Sequence, residues 1–166
     1  MFRSTNRQGN VMKRLTCVIA IILGLAITTA SVIADSDEHS VTAAMQGAFN
    51  DGAEFGPVAL QGIEVGTGVF IEADGSASGT FHAVLQGSAF GSPREITVEG
   101  KVSAGSIGPD GRATFSGIAS LDLGDGSPPL PSVVFNVIAG TDGVVLAIES
   151  TTLPAAGLTS GAVSIE

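Results

Sequence analysis

Tryptophan and tyrosine are absent from the 166 residues, and cysteine occurs once. Sugar-binding platforms and many protein interfaces rely on Trp and Tyr, whose rings combine apolar area with a polar tip. Carbohydrate recognition by stacked aromatics is therefore disfavoured. Cys17 opens the N-terminal apolar run, whereas a lipid-carrying cysteine would follow it. Once that run is removed, no disulfide can form, although export normally permits one.

Cations are scarce as well. Beyond residue 34 only Arg94, Lys101 and Arg112 remain, against sixteen carboxylates, a net charge of −13. Such a surface repels phosphate backbones and anionic headgroups, so nucleic-acid binding is disfavoured on electrostatic grounds. Its plain use is solubility outside the cell.

Catalytic motifs are missing too. The two histidines are His39, in the acidic opening segment, and His82, in mid-strand. A general base needs an orienting partner and a nearby nucleophile, and neither spacing supplies one. Gly75-Ser76-Ala77-Ser78-Gly79 has its serines at the wrong positions for a nucleophile elbow. Gly66-Thr67-Gly68 lacks the third glycine of a dinucleotide loop, and no zinc-ligand set occurs. The chain is expected not to be an enzyme.

What is present begins with an export signal. Arg3, Arg7, Lys13 and Arg14 precede an apolar stretch from Leu15 to Ile27, then small residues to Ala34. Val32 and Ala34 fit a signal-peptidase site, so residues 1–34 are expected to be a helical signal peptide cut before Asp35. Met12 is an alternative start. An uncleaved anchor is the alternative fate, because about twenty uncharged residues span a bilayer. The location is then periplasmic or extracellular, or membrane-tethered in the alternative. Residues 35–40 are expected to be a disordered acidic N-terminus, and residues 41–166 a single domain. About 130 residues suffice for one core.

Asp-Gly pairs at 51–52, 74–75, 110–111, 125–126 and 142–143 punctuate that domain. Asp-Gly between alternating apolar segments is a hairpin signal. Thr67–Asp74 and Ser78–Gly87 form one expected strand pair; 96–104 and 113–123 form the next. Val133–Ala139 and Val144–Ser150 follow, apolar on both faces and therefore expected to be central. Further strands are expected at 41–49, where alternating residues compete with a helix-permitting alanine content, at 58–65 and at 162–166. Gly100 and Gly117 fall on apolar faces, which suits a bend, a bulge or a close approach of backbones. The fold class is all-β: an antiparallel β-sandwich or partly closed β-barrel of about seven to nine strands. A membrane barrel is disfavoured, since aromatic girdles are missing.

The stretch Gly68–His82, with Ile96-Thr-Val-Glu-Gly100 and Arg112-Ala-Thr-Phe-Ser-Gly117, resembles small exported bacterial β-proteins of unknown function. The resemblance implies an antiparallel β-fold and export, and no functional residue.

Two sites are left as candidates. Asp122, Asp125 and Ser127 form a candidate calcium site, since calcium takes oxygen ligands and extracellular sites can be weak. The competing use is turn formation, because Asp bonds its own backbone two residues on. Phe70, Phe81, Phe115 and Phe135 are candidate lining for a ligand cavity in a barrel. The leading functional expectation is an exported, non-enzymatic binding or structural module. The alternative is a carrier of a small apolar molecule, and an enzyme of unrecognised type comes third. The partner is an unknown protein or a small apolar molecule, with no cofactor other than calcium, and with no membrane contact after cleavage.

Overall fold

The computed structural model describes residues 38–166, and the expected signal peptide lies outside them. Ten strands follow in order: β1 His39–Ala48, β2 Glu54–Phe55, β3 Val58–Ile71, β4 Ser76–Ala89, β5 Ser92–Ile107, β6 Ala113–Asp122, β7 Leu130–Gly140, β8 Gly143–Ile148, β9 Thr151–Thr152 and β10 Ala156–Ile165. No helix occurs among the described residues.

The strands form one antiparallel sheet that is partly ring-like. Its order is β1-β10-β8-β7-β6-β5-β4-β3-β2, and β1 also pairs β3. The register shows how the sheet curls. Ile107 pairs Ala113, Ala113 pairs Ala139, Ala139 pairs Val144, and Val144 pairs Ala156. The next residue, Gly157, pairs Ala48; Ala48 pairs Gly62, Gly62 pairs Gln86, and Gln86 pairs Glu95. The ladder thus returns to β5 about a dozen residues from where it left, as it does when tilted strands close on themselves. The joint between β8 and β10 is the weak one, with two residue pairs.

Period-2 alternation decides which side chains go inside. Val41, Ala43 and Met45 of β1, Phe81, Ala83 and Leu85 of β4, and Phe115, Ala119 and Leu121 of β6 are buried, and their neighbours are half-buried or exposed. β1 is therefore a strand rather than a helix, and it starts earlier than expected. Ser40 and Glu166 exchange both backbone hydrogen bonds at 2.9 Å, which draws His39 and Ser40 out of the expected disordered segment.

Two further expectations change. Residues 58–71 are one strand, not two. The Gly66-Thr67-Gly68 segment is paired on one side with β1 and on the other with β4, so ladder bonds hold it extended. β7 and β8 are interior to the strand order, but their second faces do not meet another sheet. Val134 is 52% exposed, because a curled sheet has one interior.

The inward glycines serve close approach. β5 bulges between Val102 and Ala104 opposite Gly117. A Cβ on Gly117 would stand 1.9 Å from the Lys101 carbonyl oxygen, so only a bare Cα fits there. Gly100 makes room for a ring instead, as described below.

Candidate functional site

The inner face is the first place a ligand could sit. β4, β6 and β7 each point one phenylalanine inward: Phe81, Phe115 and Phe135, none more than 1% exposed. Phe81 stacks on Phe135 with ring centroids 5.1 Å apart and meets Phe115 edge-on at 6.0 Å. Both arrangements are preferred aromatic geometries. Ile96, Val98, Leu85 and Leu146 are buried in the same core cluster.

Phe70 does not join them, which corrects its expected place in the lining. Val69 and Ile71 take the inward positions of β3, so Phe70 falls on the opposite phase and is 68% exposed. Its paired neighbours are Ser40 and Ser78, both small.

The candidate calcium residues share one loop between β6 and β7. Asp122 Oδ1 accepts the Gly124 N–H at 2.8 Å. Asp125 Oδ1 accepts the Ser127 N–H at 2.9 Å and the Ser127 hydroxyl at 2.5 Å. Donation by the Ser127 side chain, then by its backbone, holds the Asp125 carboxyl below its ordinary value. Asp74 and Asp110 make the same backbone contact at their turns, accepting the N–H of Ser76 at 2.8 Å and of Arg112 at 3.2 Å. The geometry at Asp122 and Asp125 is thus the turn geometry found elsewhere in the chain. No group of three or more His, Cys, Asp or Glu side chains that could hold a metal ion occurs among the described residues.

Each histidine has one polar neighbour within 4 Å. His82 Nε2 lies 3.7 Å from Glu99 Oε1 across the β4–β5 pair, with both side chains in solvent. His39 Nδ1 lies 3.3 Å from the Glu166 carbonyl oxygen.

A polar ladder on the outer face has no counterpart in the sequence expectations. Glu64 Oε1 accepts Gln46 Nε2 at 3.2 Å and Gln86 Nε2 at 3.1 Å. The Ser160 hydroxyl donates to Gln46 Oε1 at 3.1 Å. The four side chains come from β3, β1, β4 and β10 and lie across the strands. Beside them runs an open groove of about 400 Å³, where Ala44 and Gly66 lie between Gln46, Glu64, His82 and Ser160. The groove can offer hydrogen bonds to a polar surface. The Ser160 hydroxyl at its side is donated to the Gln46 amide oxygen.

A second groove, of about 470 Å³, follows the weak joint between β8 and β10. Arg112 Nη2 and Asp142 Oδ2 form an ion pair of 2.6 Å there, and the Asp142 carbonyl accepts the Leu158 N–H at 3.0 Å.

Known protein families, curated proteins and solved structures were compared with this chain, and none of them matches it.

Proposed function

We propose that the chain is an exported, non-enzymatic binding or structural module that works through its outer surface. The observation that carries this reading is the stack of Phe81, Phe115 and Phe135. Phe81 meets both other rings and all three are fully buried, which supports an interior close-packed like an ordinary core. A carrier of a small apolar molecule needs an enclosed apolar space of about 300 Å³ or more. The two grooves of that order are open, and polar groups line them. In this reading the curled sheet is an eight-stranded barrel of β1, β3–β8 and β10, filled by side chains.

Export is proposed from the basic, apolar and small-residue order of residues 1–34. The outer face agrees with an aqueous setting: Glu64, His82, Glu99 and Lys101 stand in the middle of long strands. A lipid-facing band would carry apolar residues at that height.

Native mass spectrometry of the protein purified from its own host tests the reading. The expected mass is that of the polypeptide, or of two copies of it, with no small molecule added. A small apolar molecule retained in stoichiometric amount would overturn it in favour of the carrier.

A further inference from the structure

Ring closure leaves short strand ends unpaired on one side, as at Ser92–Ile96 of β5, and one longer stretch on β10. β10 pairs β1 from Gly157 to Ile165. On its other side it pairs β8 at Ala156 and Gly157, and the Leu158 N–H reaches the Asp142 carbonyl. From Thr159 to Ile165 that side meets no strand among the described residues. The cause is the stagger: the β7–β8 hairpin ends at Gly140 and Gly143, while β10 continues along β1.

The hydrogen-bond phase follows from the neighbouring pair. Ser40 and Glu166 exchange both bonds. In an antiparallel ladder the bonded pairs alternate, so Ala162 and Ser164 also turn their backbone groups toward β1. Gly161, Val163 and Ile165 turn theirs the other way, toward the open side. Thr159–Ser160-Gly161-Ala162 and Ser164 are exposed.

Proteins usually protect such an edge with lysine, proline or an inward charge. Thr159-Ser-Gly-Ala-Val-Ser-Ile165 has none of these. It is also an uncharged run in a chain whose described residues are strongly acidic. Two copies repel each other over most of their surface, but not here.

We propose that the Thr159–Ile165 edge of β10 pairs antiparallel with the same edge of a second copy of this chain. Centred on Val163, the pair sets Val163 opposite Val163, and Gly161 opposite Ile165, in both directions. All three positions then exchange backbone hydrogen bonds across a two-fold axis, which is an isologous contact. The side chains beside the axis are Ala162 and Ser164, small enough for the strands to reach their normal spacing. The pairing does not depend on what the interior holds.

Sedimentation velocity over micromolar to submillimolar concentrations, combined with amide hydrogen exchange, tests the proposal on protein purified from its own host. A monomer–dimer equilibrium is expected. The Val163 and Ile165 amides should exchange more slowly as concentration rises, while Ala162 and Ser164 stay protected throughout by β1. The double variant Ala162→Lys with Ser164→Lys places like charges across the axis and should be monomeric, with the melting curve that the native protein has at concentrations where it too is monomeric. If that variant does not fold, the concentration dependence of exchange in the native protein decides alone. A monomer at every concentration overturns the proposal, as does a dimer indifferent to the two lysines. Slow Val163 and Ile165 exchange in a monomer overturns it too, by assigning the edge to another segment of the chain or to a co-purified peptide.

Discussion

Gly100 faces the ring of Phe135: a Cβ at residue 100 would stand 2.5 Å from Phe135 Cε1 and 3.1 Å from the Ala119 Cβ. The missing side chain on β5 is what lets Phe135 lie flat against Phe81. Gly100→Ala should therefore destabilise the fold by overpacking, by about 1–3 kcal/mol. Phe135→Leu in the same chain should recover part of that loss, since the two residues compete for one volume. Chemical denaturation of the two single variants and the double variant measures the coupling. Strictly additive losses would show that the contact does not limit the packing.

Phe90 shows the opposite relation between a residue and its place. β4 and β5 are joined by Phe90 and Gly91 alone, closed by the Ala89–Ser92 pair. Both residues have positive φ, 52° and 78°, which is the tight primed turn. An aromatic residue is strained in that region, and this one is 94% exposed, so no burial offsets the strain. Phe90→Asn is expected to stabilise the protein by about 1 kcal/mol, raising the melting temperature by a few degrees. A lower melting temperature would mean that the ring has a packing role.

These two residues also mark where the sequence was legible. Asp74, Asp110 and Asp142 lie at hairpin ends, as their Asp-Gly pairs predict, because the turn chemistry is local. Phe90-Gly91 breaks the same rule, so nothing local announced that turn. The strands expected at 58–65 and 67–74 run together through Gly66, because pairing with β1 and β4 continues across it. Alternation gave the inward phase of Phe81 and Phe115, and the same phase, applied to Val69 and Ile71, puts Phe70 outside; β7 is apolar on both faces, so the phase of Phe135 came from pairing with β6. The outer ladder could not be read at all. Glu64 meets Gln46 and Gln86 from 18 and 22 residues away, and no motif spans such a register.

Acid should unfold the protein partly through its turns. Ser76 holds the Asp74 carboxyl below the ordinary 3.8, by its side chain first and its backbone second. Ser127 does the same for Asp125. A carboxyl whose folded pKa is lowered contributes stability above its unfolded pKa, and that contribution is lost as pH falls through the folded value. The loss should therefore begin near pH 3.8 and continue below it. Asn keeps an acceptor for the turn but does not titrate. Asp74→Asn with Asp125→Asn should be somewhat less stable at pH 7, where the two carboxylates contribute, and should lose less stability as pH falls through that window. Superimposable acid profiles for the two proteins would remove these turns as a cause.

The same hydrogen bonds bear on calcium. A calcium ion takes six to eight oxygen ligands, and the loop brings two carboxylates, each already bonded to backbone N–H groups. Binding would have to break the Ser127 contacts or leave Asp125 Oδ1 shared. A ligand held only by the folded state at 100 times its dissociation constant adds about 2.7 kcal/mol, which would be plain in a melting curve. Millimolar calcium is expected to leave the melting temperature where it is, and Asp122→Asn should not alter that result. A rise with calcium that Asp122→Asn or Asp125→Asn abolishes would restore the site, and would require the loop to reopen its turns around the ion.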